Sequence, residues 1–223
     1  MPLPFAFQVA AANTEGTKMS RLLSGVRLSA LAAAALAGMG LVGAPTAQAQ
    51  VESGNWISYS PSFTVQERGC GTVNGLTFQL TCSTAGGDQR AERRYANYSG
   101  GAARQFEGTF RISSLAGTRI SLKQTFNDSE PGPFFMLAVE RGGRLYAVHG
   151  GATIATGATV GTSVRVNTVH RIGNNHKTYI NGSLKHTYAS PGGNFYDKFG
   201  AYRTSSGQGP ATVVWSGIKF WHL

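Results

Sequence analysis

From residue 50 onward, alternation of apolar and polar residues with a period of two recurs, and no long stretch has a 3.6-residue apolar period. Between Gln105 and Ile112, the residues Phe106, Gly108, Phe110 and Ile112 alternate with Gln105, Glu107, Thr109 and Arg111. This period of two marks a strand with one face buried. The same reading predicts strands at 76–81, 89–95, 119–126, 134–140, 144–149, 163–172, 176–180, 184–188, 199–204 and 211–221. Glycine and asparagine punctuate them at Arg141-Gly142-Gly143, Gly173-Asn174-Asn175, Asn181-Gly182 and Pro191-Gly192-Gly193. Asn-Gly between two β-rich runs is a strong two-residue hairpin signal, because both positions of that turn need positive φ. Many short strands with glycine-rich turns predict an all-β sandwich or barrel.

The first 49 residues follow a different pattern. From Met19 the chain runs Ser20-Arg21-Leu22-Leu23, then Arg27, an apolar stretch from Leu28 to Val42, and Ala47-Gln48-Ala49. Basic start, apolar middle and Ala-x-Ala end are the design of a secretory signal. The apolar stretch is broken by glycines and falls short of the roughly 18 residues that crossing a membrane requires. Residues 1–49 are therefore expected to be a leader and signal peptide, with Met19 as the true start. Residues 50–223 are expected to form a single secreted domain with no membrane association, acting as a monomer.

The 223-residue chain carries 20 Lys+Arg against 10 Asp+Glu, a formal charge of +10. Residues 50–223 keep 17 of the basic and 9 of the acidic residues, so the positive balance belongs to the folded part. Such a balance points to a polyanionic partner. Export makes an acidic polysaccharide a more economical partner than nucleic acid, and the arginines form no basic run interleaved with aromatics beyond Arg90–Tyr98. The two cysteines, Cys70 and Cys82, form an even count in an exported domain and read as one disulfide. Neither CxxC nor HExxH occurs, so no metal site is expected.

Three polar rows stand out on predicted strands. Alternation sends Arg90, Glu92 and Arg94 to one side of their strand. This is either a fork for a carboxylate or a charged edge that keeps the strand soluble. Gln124 shares a predicted face with Ile120, Leu122 and Phe126. It reads as a neutral donor at a cleft edge or as a satisfied buried amide. Lys198, Gly200 and Tyr202 form a third row, in which glycine would let a ligand come close and tyrosine would bind sugar or move a proton. The alternative for Tyr202 is a core aromatic with its hydroxyl bonded.

Taken together, Arg90-Ala91-Glu92-Arg93-Arg94, Gln124-Thr125-Phe126 and Tyr196-Asp197-Lys198-Phe199-Gly200-Ala201-Tyr202 resemble three ordered motifs of the jelly-roll polysaccharide lyases. These are the alginate lyases of polysaccharide lyase family seven and the related glucuronan lyases. Their motifs read Arg-(Ser/Thr)-Glu-(Leu/Val)-Arg, Gln-(Ile/Val)-His and Tyr-Phe-Lys-Ala-Gly-x-Tyr, and the resemblance spans roughly residues 89 to 221. It implies a β-jelly roll, with a concave sheet, that cleaves a 1,4-linked polyuronate, such as polymannuronate or glucuronan, by β-elimination without a cofactor. It also implies that Arg90, with Arg94, and Gln124 neutralise the uronate carboxylate. Tyr202 would protonate the leaving oxygen, Lys198 would bind a neighbouring carboxylate, and Glu92 would orient the arginines.

One departure matters: Phe126 stands where the family has its histidine. Either Tyr202 serves as both base and acid, which suits mannuronate and glucuronate, whose C5 proton and 4-oxygen lie on the same side. Or another histidine is the base, with His149, His176 and His170 the candidates. A non-catalytic binding module or lectin on the same fold is the alternative. A glycoside hydrolase is disfavoured, because no closely spaced carboxylate pair marks a strand.

Overall fold

The computed structural model describes residues 50–83, 88–101, 103–203, 207 and 209–223. The leader expected at 1–49 lies outside the described residues. Those that are described belong to one compact unit, Thr46–Leu223.

The described residues form fifteen strands and one short 3₁₀ turn. In order these are β1 (Ile57–Tyr59), β2 (Phe63–Arg68), β3 (Gly71–Asn74), β4 (Thr77–Leu80), β5 (Gln89–Tyr95), β6 (Arg104–Leu115), β7 (Arg119–Asn127) and β8 (Pro133–Glu140). Then follow β9 (Leu145–Ala147), the 3₁₀ turn His149–Gly151, β10 (Thr153–Ala155), β11 (Ser163–Arg171), β12 (Asn175–Ile180), β13 (Ser183–Ala189), β14 (Phe195–Arg203) and β15 (Ala211–His222). Two antiparallel sheets form a β-jelly-roll sandwich. The eight-stranded sheet runs β13-β12-β11-β6-β15-β4-β3, with β1 added against β15, and the seven-stranded sheet runs β10-β9-β8-β7-β14-β5-β2.

The core lies between the sheets and is built on rings: Phe78, Phe106, Phe110, Phe135, Phe199 and Trp215 are all buried there. Phe199 packs on Trp215 with centroids 5.0 Å apart, and Trp215 Nε1 donates to the Gly200 carbonyl at 3.2 Å, so the sheets are joined by packing and by a hydrogen bond. The predicted Asn-Gly hairpin joins β12 to β13, with Asn181 at φ 51° and Gly182 at φ 84°. The disulfide joins Cys70 to Cys82 across β3 and β4.

Three expectations need correction. The strand expected at 144–149 ends at Ala147, and His149 begins the 3₁₀ turn. The last residue of the strand expected at 199–204, Thr204, lies outside the described residues, while β14 starts earlier, at Phe195. Finally, a register shift between Ser121 and Lys123 breaks the alternation of β7. Ile120 and Leu122 enter the core, whereas Gln124 and Phe126 turn outward, so the four residues do not share a face.

Candidate functional site

Strands β5, β14 and β7 are neighbours in the seven-stranded sheet, so the three motifs, far apart in sequence, become adjacent rows. Lys198 lies opposite Arg94 on one side and Gln124 on the other, Gly200 lies opposite Glu92, and Tyr202 lies opposite Arg90 and Ser121. Because alternate residues share a face, Arg90, Glu92, Arg94, Lys198, Tyr202, Gln124 and Phe126 all stand on the side away from Phe199 and Ala201. The row continues past Tyr202 to Ser121, Met136 and Tyr146, which with Tyr202 line a pocket of about 40 Å³.

At the centre of the row is Glu92, 2% exposed. Gln124 Nε2 donates to its Oε1, and Arg90 Nε lies 3.1 Å from its Oε2. Glu92 thus holds the amide by a hydrogen bond and the guanidinium by an ion pair. Burial raises the Glu92 carboxyl to about 7 despite the nearby Lys198 and Arg90 charges.

Lys198 is 4% exposed, and its ammonium lies over the ring of Phe126, 4.7 Å from the centroid. Phe126 itself stacks on Tyr196 at 4.9 Å with planes 6° apart, and the Arg94 guanidinium covers Tyr196 at 4.0 Å. Arg94 is further held by Asn97 Oδ1 at 2.6 Å. Burial lowers the Lys198 amine to about 8, with Arg90 and Arg94 acting in the same direction and Glu92 against them.

Tyr202 is 9% exposed, and its hydroxyl donates to Asp88 Oδ1 at 3.0 Å. Burial and this bond to Asp88 raise its phenol above the ordinary value. Asp88 was not among the sequence candidates. No alternation or motif marks it, because it lies just before β5 and meets Tyr202 across 114 positions.

Other sequence candidates fall elsewhere. His170 and His176 do not face this row, because both project between the sheets from β11 and β12. There His170 contacts the Tyr98 hydroxyl through Nδ1 at 2.9 Å and the Ser190 hydroxyl through Nε2 at 2.7 Å. His176 Nε2 lies 3.2 Å from Thr125 Oγ1, beside the buried Lys123–Asp197 ion pair. Both imidazoles are held below their ordinary value by burial, His170 at about 4. As candidate bases they are therefore displaced by the thickness of the sheet. His149 is exposed, in a depression of about 510 Å³ lined also by Asn127, Pro133 and Phe134, and its carbonyl accepts the Tyr188 hydroxyl. Gly200 has a different use from the one its row suggested. At φ 146°, a Cβ there would come 2.3 Å from the Ala91 carbonyl oxygen and 2.7 Å from the Phe78 ring. The missing side chain makes room for β5 and the core rather than for a ligand. Among the described residues, no group of three or more His, Cys, Asp or Glu could hold a metal ion.

No family model and no curated protein matches the chain. Solved structures do. The alginate lyase AlgAT5 from polysaccharide lyase family 7 superposes with a TM-score of 0.55 at 21% identity, over 75% of this chain and 85% of that one. An alginate lyase from Pseudomonas aeruginosa gives 0.54 at 18% identity, over 71% and 88%. An alginate lyase from Corynebacterium sp. gives 0.53 at 19%, over 69% and 81%. At these identities the likeness is one of fold, and the chain has the jelly-roll sandwich fold of the alginate lyases.

Proposed function

We propose that this protein is a secreted lyase that cleaves a 1,4-linked polyuronate by β-elimination, with polymannuronate or glucuronan preferred over polyguluronate. The observation that carries the reading is the convergence of Arg90, Gln124, Lys198 and Tyr202 on one face of three adjacent strands. The C5 proton of a uronate is weakly acidic, so the enolate-like transition state needs donors on its carboxylate. N–H groups of Arg90 and Gln124, both held by Glu92, would supply them. Tyr202, held protonated by burial and Asp88, suits the acid that protonates the leaving 4-oxygen. The fold shared with alginate lyases supports an acidic polysaccharide as substrate.

The test is absorbance of the unsaturated uronate while the purified protein acts separately on polymannuronate, polyguluronate and glucuronan. A rise on the first or third supports the reading, and faster cleavage of polyguluronate overturns the preference. A second reading, a non-catalytic polyuronate-binding module, is favoured by Phe126 at the histidine position of the family's motif. Binding without product on any polymer would establish it. Export itself is tested by sequencing the N-terminus of protein recovered from the medium, which should begin at Gln50.

A further inference from the structure

We infer that the Lys198 amine is the base that takes the C5 proton, a role separate from the proton donor Tyr202. The inference rests on the lyase reading above and answers the question that Phe126 poses. Four of the five histidines sit on β11, β12, β13 and β15, all in the other sheet, and the fifth, His149, is exposed in a turn. Glu92 is 2% exposed, with Oε1 hydrogen-bonded by Gln124 and Oε2 ion-paired with Arg90. Tyr202 is tied as a donor to Asp88, which keeps its proton in place and opposes its use as a base. Lys198 remains. It stands between Arg94 and Gln124, and its amine makes no hydrogen bond or ion pair with any described residue. Its Nζ lies over the Phe126 ring, and no carboxylate of a described residue lies within ion-pair distance of it.

The charged and titratable groups around it are Arg90, Glu92 and Arg94 from β5 and Tyr196 from its own strand. From β7 come only Gln124 and Phe126, since Lys123 faces the core. Two cations and burial act against one carboxylate, so a usable fraction of the amine is neutral near pH 7 to 8. Raised acid and lowered base on one strand is the separation that acid–base chemistry needs.

In the step, the Lys198 Nζ lone pair takes the C5 proton and becomes ammonium. The C5–H electron pair forms the C4=C5 double bond, the C4–O4 bond breaks, and O4 takes the phenolic proton of Tyr202. Solvent then removes a proton from Lys198 and returns one to Tyr202. Both groups rise from the same face of β14, an arrangement that fits a substrate whose C5–H and C4–O4 are on the same side.

The test separates a base from a carboxylate clamp. Lys198→Arg keeps the charge and N–H donors for a carboxylate but provides no base at any working pH. It should lower kcat about 100- to 10,000-fold with little change in KM. Lys198→Cys alkylated with 2-bromoethylamine restores an amine of lower basicity, so activity should return with the acid limb of kcat/KM shifted to lower pH. Retention of activity in Lys198→Arg within tenfold would overturn the base while leaving the lyase reading intact. Absence of unsaturated product from the unaltered protein on all three polymers would overturn both. Should Lys198→Arg not fold, NMR titration of the Lys198 ε-carbon in the unaltered protein decides. A midpoint near 8 supports the base, and one at the ordinary lysine value overturns it.

Discussion

The Tyr202 hydroxyl donates to Asp88 Oδ1 over 3.0 Å, linking the third residue row to the loop that enters β5. Burial first, and then that bond, raise the phenol's pKa, so Tyr202 keeps a proton to give at neutral pH. Tyr202→Phe removes the proton without disturbing the ring's packing. It should abolish turnover while leaving polyuronate binding nearly unchanged, measured by product absorbance and by calorimetric titration.

Asp88 acts on Tyr202 through charge as well as through the hydrogen bond, and both raise the phenol. Replacing it with asparagine keeps a neutral acceptor and removes the charge. Asp88→Asn should therefore move the alkaline limb of the kcat/KM profile to lower pH. An unmoved limb would mean that Tyr202 does not control it.

The disulfide closes a short loop of sequence separation 12. In the chain-entropy view this stabilises the fold by about 3 kcal/mol. Reduction, or the Cys70→Ser and Cys82→Ser pair, should lower Tm by roughly 6 to 12 °C for a domain of this size. The effect should reach the site as well, because Gln89 Oε1 accepts the Cys70 N–H at 2.6 Å immediately before Arg90. A raised KM beside the lowered Tm is expected in steady-state kinetics on polymannuronate.

Period-two alternation made β5, β6, β8, β11 and β15 legible, since each keeps one face in the core along most of its length. The hairpin at Asn181-Gly182 was legible because only a few residue pairs accept two positive φ angles. β2 was not, because it is an edge strand whose Phe63 and Val65 stay exposed and whose other positions are polar. The site rows were visible as local patterns in β5 and β14. Simple alternation puts Gln124 on the face of Ile120 and Leu122, and the shift at Leu122 that separates them leaves no local signature. The buried cluster of Lys123, Asp197, Thr125, His170 and His176 could not be read either: its members come from four strands, and the Lys123–Asp197 pair is separated by 74 positions.

That cluster and Glu92 set opposing pH dependences of stability. His170 and His176 are neutral in the fold and lowered from 6.5, His170 to about 4. Between these values the unfolded chain binds protons that the fold refuses, so stability falls as pH drops from 6.5 toward 4. For His170 alone the loss is about 3 kcal/mol. Glu92 is raised from 4.5 to about 7, so the fold binds its proton before the unfolded chain does, and stability rises as pH drops from 7 to 4.5. Its gain is of similar size, up to about 3 kcal/mol, and offsets one histidine. Glu92→Gln removes the gain and leaves the histidines unopposed. Urea unfolding at pH 7 and pH 4.5 should show a modest acid loss in the unaltered protein and a steeper one in Glu92→Gln. Adding His176→Gln to that variant should make the loss shallower again. Equal acid losses with and without Glu92 would mean that its carboxyl titrates near the ordinary value and does not hold its proton at the centre of the row.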